Sequence, residues 1–283
     1  MGGGGQVARA VAATAPAGHA VVLKTETDLD ITNPAALAAQ LKLQPVDWIV
    51  NGAAYTAVDQ AEDDVAKATL INDTAVGVLA QAAREAGSRL MHISTDFVFD
   101  GESNRAYLPG DPPNPISVYG VTKLGGERQA LAAGAGGIVV RTAWVYAAVG
   151  KNFVLTMLKL MRERERLSVV ADQIGTPTHA TGLARALWGL MENQAPGGLY
   201  HWTDLGVASW YDFAVAIQEE GLARGLLTRA VPIEPIGSAA YPTKARRPHF
   251  SVLNTESARA VSKAPARHWR ENLREMLYQL GVA

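Results

Sequence analysis

The sequence predicts an α/β chain: a Rossmann-like, doubly wound parallel sheet joined to a smaller α+β lobe. Three observations predict it. Up to Asp172, short apolar runs alternate with stretches of helical periodicity, the signature of βαβ units whose strands are covered on both faces. A glycine cluster, MGGGGQ, runs straight into a helical pattern, which fits a nucleotide-binding loop or a glycine-rich terminal tail. Beyond Asp172 the alternation gives way to shorter, mixed elements.

Taken in order, Val7, Ala10, Val11 and Thr14 fall on one helical face, so 6–15 is predicted helical, ended by Pro16 and Gly18. HAVVLK (19–24) reads as a short buried strand. Asn33 before Pro34 is an N-cap with proline at the first helical position, opening AALAAQL. DWIVNGAA is the next strand, 63–86 a long helix, and RLMHIS another strand. Four prolines and two glycines make 100–115 a long loop, and loops of that length are more often functional than decorative. There follow a helix from Ser117, the strand GIVVRTAWVY, the helix NFVLTMLKLMRER and the strand LSVV. The second lobe is predicted as a helix over 180–192, a strand GLYHW, a helix over 210–221, an extended VPIEPI and a polar stretch over 238–248. Residues 1–150 are thus expected to form the dinucleotide-binding domain with the catalytic groups, and 151–283 mainly the substrate lobe, with a partial return to the first.

At 283 residues, 48% hydrophobic and 19% charged, the chain can bury a large core. Zero cysteines exclude disulfides and thiolate chemistry. A net charge of −1 gives no basic footprint for nucleic acid or an anionic membrane. The longest apolar runs are interrupted by Arg141 and are too short to span a bilayer. The expectation is a soluble cytoplasmic protein with no nucleic-acid or membrane partner, monomeric or homodimeric.

Tyr119 and Lys123 form a YxxxK pair on a predicted helix, where positions i and i+4 share a face. A phenol is a poor acid–base catalyst at neutral pH, and a neighbouring ammonium favours the phenolate. ISTDFVFDG sets Ser94, Thr95 and Asp96 at the carboxyl end of the fourth strand, where doubly wound folds bind ligands. A hydroxyl there can join the tyrosine in polarising a carbonyl oxygen. Read alone, the pair fits an ordinary amphipathic helix and Thr95 a turn cap; together they point to a site that polarises a carbonyl oxygen.

The blocks GxxGQ, LDIT, NGAAYTAVDQAE, ISTDFVFDG, VYGVTKLGGE, RTAWVY, KNF, GTPT and ARRPHFSVLNTE resemble the extended short-chain dehydrogenase/reductase superfamily and, within it, the dTDP-4-dehydrorhamnose reductases. The resemblance runs over about residues 2–280 with the blocks in the family's order. It implies reduction of the C4 ketone of a dTDP-6-deoxy-4-hexulose by NADPH, with NADH possible. Tyr119 is then the general acid, Lys123 holds the nicotinamide ribose, and Thr95 hydrogen-bonds the keto oxygen. Gly2, Gly5, Gln6, Asp30, Ile31, Ala53, Ala54, Tyr55 and Asn72 are implied at the cofactor, and Asp96, Phe97, Trp144, Asn152 and Arg246 at the dTDP-sugar. Either Arg246 or Arg247 suits a diphosphate, since guanidinium binds phosphate oxygens in a fork. Trp144 also reads as core filler and Arg246 as a solvated charge.

The chain departs from the family in places. Phe97 stands where many relatives have tyrosine, and Ala8 replaces a third glycine. Lys24 suits a 2′-phosphate, whereas Glu26 suits a free 2′-hydroxyl, which leaves NADPH against NADH open. Ala10 stands where some relatives carry a glutamate that binds a cation, so no metal is expected. Only Met1 precedes the glycine turn, where a doubly wound sheet has a central strand of about five residues; the expectation is that the working protein is longer by that strand. A nucleotide-sugar epimerase or dehydratase, and a noncatalytic subunit resembling that of methionine adenosyltransferase, are the alternatives; Thr95, Tyr119 and Lys123 together favour catalysis.

Overall fold

The computed structural model describes residues 1–281 except Ala133 and Ala135; residues 282 and 283, the end of the expected substrate lobe, lie outside the described residues. Helices α1 (Gln6–Ala13) and α2 (Pro34–Leu43) precede strand β1 (Trp48–Asn51). Helices α3 (Val58–Ala61), α4 (Val65–Thr69) and α5 (Ala75–Glu85) lead to β2 (Arg89–Thr95), and α6 (Val118–Ala132) leads to β3 (Ile138–Thr142). The strands β1, β2, β3 and Gly198–His201 lie side by side in that order, all parallel, in a Rossmann-like sheet.

Successive strand residues point to opposite faces, and the core divides accordingly. Met91, Ile93, Ile138 and Val140 pack with Val11 of α1 and with Leu183, Leu187 and Trp188 of the helix Ala180–Glu192. Leu90 and Val139 pack the other way, against Leu37, Leu41, Val76, Leu79 and Ala130 of α2, α5 and α6. Such near-continuous apolar strands are what a parallel sheet covered on both sides requires. Asn33 caps α2 by accepting the Ala36 N–H at 3.0 Å.

The second lobe gathers α7 (Phe153–Glu163) with the helices Trp210–Ala223 and Trp269–Gly281 around a core that includes Met157, Phe213, Ile217, Leu273 and Met276. The parallel strands Leu167–Val170 and Ile233–Ile236 flank it.

Four sequence expectations change. Residues 19–24 form no strand, and Val22 and Leu23 are exposed; among the described residues the segment's only ladder-type bond is Gly3 N–H to Lys24 O at 2.8 Å, too little to hold a strand. The helix expected over 63–86 is interrupted by a π-helical turn, Leu70–Thr74, between α4 and α5. The strand expected through GIVVRTAWVY breaks after Thr142, because Trp144 takes a left-handed φ of 47°. The strand GLYHW, placed by sequence in the second lobe, instead extends the main sheet beside β3.

Candidate active site

Helix α6 lies against β2. His92 meets Lys123, with Nε2 and Nζ 3.3 Å apart. One step on, Ser94 Oγ donates to Glu127 Oε1 at 2.5 Å. At the strand end the Thr95 side chain lies near enough to the Tyr119 phenol to favour its ionised form. Close approach here needs Gly120, since a Cβ at that position would run into the Phe97 carbonyl.

The three sequence-predicted catalytic side chains therefore meet at the carboxyl end of β2. Thr95 Oγ1 donates to Asp96 Oδ1 at 3.0 Å and accepts the Phe97 N–H at 3.2 Å. The Tyr119 ring stands edge-on to Phe97, centroids 5.5 Å apart. Lys123 is buried, and its Nζ donates to Ile93 O at 2.7 Å. Burial, reinforced by the Asp96 charge, pushes the Tyr119 phenol up to about 12 against the nearby Thr95 hydroxyl. The expectation that Lys123 brings this phenol toward neutrality is not met: the lysine points at Ile93 and His92, and the phenol stays protonated. Burial pushes Lys123 down to about 8 against the pull of Glu127. Burial also pushes Asp96 up to about 6, against the nearby Ser251 hydroxyl and the Thr95 hydrogen bond.

At the glycine turn, Gly2 has φ 73°, and a Cβ on it would sit 2.7 Å from Ala53 N, so only glycine lets the turn approach the end of β1 this closely. Gly5 N–H closes the turn on Gly2 O at 2.8 Å, and α1 starts at Gln6. Ala53, Ala54 and Tyr55 lie half-buried beyond β1. Asn72, in the π-helical turn, accepts the Tyr55 N–H at 2.8 Å and donates to Tyr55 O and to Thr122 Oγ1 of α6. It thus braces the Ala53–Tyr55 strip against the catalytic helix. Asp30 is exposed and bonded to Thr32, and Ile31 is buried beside it.

Between the lobes lies a cavity of about 430 Å³. Asp96 and Phe97 line it from the catalytic end, Trp144, Phe153 and Trp210 from α7 and its neighbours, and Arg247 and Ser251 from the opposite side. Trp144 stacks on Trp210, centroids 3.5 Å apart and 8° from parallel. It is therefore a wall of the cavity as well as packing. Asp96 Oδ2 is buried without a hydrogen-bond partner among the described residues, an acceptor that a sugar hydroxyl can satisfy.

Two implied substrate contacts do not line this cavity. Arg246 is exposed, and the neighbouring Arg247 lines the cavity instead. Asn152 is absent from the cavity wall: it caps α7 by accepting the Leu155 N–H, and it donates to Ala147 O and to Gln6 Oε1, both at 2.8 Å. Sequence reasoning missed Trp210, Phe153, His92 and Glu127. Trp210 and Phe153 each open a helix next to a capping residue and read as ordinary first-turn apolar positions. His92 and Glu127 were visible only as polar residues inside apolar patterns.

A family model described as the RmlD substrate binding domain matches residues 1–282. The dTDP-4-dehydrorhamnose reductase of Escherichia coli K12 is 40% identical over 275 residues, covering 95% of this chain and 92% of its own. That of Burkholderia thailandensis is 42% identical over 279 residues, covering 95% and 94%. Among solved structures, a dTDP-4-dehydrorhamnose reductase from Bacillus anthracis in complex with NADP superposes with a TM-score of 0.92 at 31% identity, covering 98% of this chain and 97% of that one.

Proposed function

Because the chain belongs to the RmlD substrate binding domain family, we propose that it reduces the C4 ketone of dTDP-6-deoxy-L-lyxo-4-hexulose (dTDP-4-dehydro-L-rhamnose) to dTDP-L-rhamnose with NADPH. The observation that carries the reading is the gathering of Thr95, Tyr119 and Lys123 at the end of β2, next to Asp96 and Phe97, which line a cavity between two lobes. Relatives bearing the reductase name favour it over the epimerase, dehydratase and noncatalytic alternatives.

Bound NADPH supplies the hydride. As charge develops on the C4 oxygen, Tyr119 donates its phenolic proton to that oxygen and Thr95 offers a hydrogen bond; such preorganised donors stabilise the transition state. Tyr119 is protonated before the step, as an acid has to be. Lys123, fixed at Ile93 O one helical turn from Tyr119, contributes positive charge to the site. The Gly2 cradle and the start of α1 suit the cofactor pyrophosphate, since both offer backbone N–H groups unobstructed by side chains. Trp144 and Trp210 offer flat apolar faces to a nucleotide base, and Arg247 a guanidinium to its diphosphate. The cytoplasm suits such an activity, and no helix of the described residues is long and apolar enough to cross a membrane.

The test is turnover of the 4-keto sugar with NADPH, followed by loss of the reduced cofactor's absorbance, for the full chain and for Tyr119→Phe. The phenol's loss is expected to slow kcat about 10²- to 10⁴-fold with the fold intact. Normal turnover by Tyr119→Phe, or no reduction by the parent chain, overturns the assignment.

A further inference from the structure

Lys123 does not stand alone behind Tyr119. Its Nζ faces the His92 ring, the ring faces Asn51, and all three side chains are buried to 2% exposure or less. Asn51 and His92 are register partners on adjacent strands, which holds both side chains in one layer. Asn51 Oδ1 accepts the Ala53 N–H at 3.1 Å. Its Nδ2 therefore points the other way, at His92 Nδ1, 3.1 Å off. An amide nitrogen can only donate, so Nδ1 accepts, and a neutral imidazole that accepts at Nδ1 carries its proton on Nε2. The ring is held neutral, since burial and the Lys123 charge both oppose a second proton. Nε2–H consequently points at Lys123 Nζ.

An ammonium has only donors, so Nε2–H and a charged Lys123 confront each other donor to donor. The hydrogen bonds close in one way: Lys123 as a neutral amine accepts from His92 Nε2–H and donates to Ile93 O. We propose that His92, with its tautomer locked by Asn51, is a positioning residue that presents an N–H to Lys123 and so stabilises its neutral amine. The inference rests on the reductase reading of Lys123 and deepens it. The amine is the form that His92 and Ile93 complete, so the network lowers the cost of Lys123 giving up a proton during the cycle. Opposing the neutral amine is Glu127, one turn along α6 and paired with Arg141 of β3, whose negative charge favours the ammonium. Asn51, the contribution of β1, is uncharged, and Asp73 of the π-helical turn is bonded to Gln129.

The test reads the ligand-free full chain, labelled with ¹⁵N at histidine and lysine, by NMR above the Lys123 midpoint. Wild-type His92 is expected to show a protonated Nε2 and a bare Nδ1, with Lys123 titrating below an ordinary lysine. Asn51→Leu removes the N–H facing Nδ1, freeing the ring to move its proton there and accept from Lys123. The Lys123 midpoint is then expected to rise by about one unit or more, and the alkaline limb of kcat/KM with it. Packing damage alone lowers the rate at every pH without moving either. A proton on Nδ1 in the wild-type ring overturns the proposal, and so does a Lys123 midpoint unmoved in Asn51→Leu; should that variant fail to fold, the wild-type tautomer decides. Failure to reduce the sugar is a separate outcome, because the tautomer is read without substrate.

Discussion

Arg247 holds Asp59 in a two-pronged grip, Nη2 to Oδ2 at 2.8 Å and Nη1 to Oδ1 at 3.1 Å. The guanidinium lining the cavity is thus held by a carboxylate of α3, on the cofactor side. Replacing Arg247 with alanine is expected to raise KM for the dTDP-sugar about 10- to 100-fold with little change in kcat, as charged hydrogen bonds contribute about 1.5–3 kcal/mol. The partly exposed pair adds little to stability, so the Tm should stay within a few degrees. Steady-state kinetics of Arg247→Ala beside Arg246→Ala checks this; equal effects of the two refute the placement.

Asp96 trades stability for its place in the site. Its folded-state value of about 6 lies above the ordinary 3.8, so the folded chain binds more protons between those limits and loses stability as pH rises through them. The loss amounts to about 3 kcal/mol at neutral pH. Asp96→Asn is therefore expected to unfold at higher denaturant than the parent at pH 7 and to lose that advantage below pH 4, while turning over more slowly.

The same two groups shape the rate. kcat/KM is expected to fall below about pH 6, as Asp96 gains a proton and ceases to accept from the sugar, and above about pH 8, as Lys123 loses its charge. A pH–rate profile in which Asp96→Asn keeps the full acidic limb removes Asp96 from that assignment.

Asn152 joins the α7 cap to Gln6 at the glycine turn, so its loss acts at the cofactor end. Asn152→Ala should cost about 1 kcal/mol of stability through the cap and raise KM for NADPH more than for the sugar. Separate titrations of the two substrates decide between this and a direct sugar contact.

Glu127 and Arg141 form an ion pair buried to 2% exposure on each side chain, joined by Ser94, and it ties α6 to β2 and β3. Removing one partner strands the other charge. Glu127→Ala is expected to destabilise the fold by about 3–5 kcal/mol, measured by chemical denaturation.

The legible part of the site follows local rules. Tyr119 and Lys123 share a helical face, Thr95 ends a strand, and Gly2 precedes a helix; each is a matter of spacing within a few residues. Arg246 and Arg247 look alike in sequence because adjacent residues differ only in direction, and that is decided where 241–248 crosses Asp59. Asn152 carries a hydrogen-bonding amide in any reading, and only the approach of Gln6, distant in sequence, gives it its partner.

The amino-acid order alone determined the alternation of strands and helices, the YxxxK face and the glycine turn, because periodicity and capping act within one or two turns of chain. Tertiary structure decided that 19–24 forms no strand, that GLYHW joins the main sheet, and that Lys123 faces His92 and Ile93 rather than the phenol. Those outcomes depend on which polar groups meet across elements far apart in the chain, and a buried donor or acceptor takes the partner that packing brings within about 3 Å.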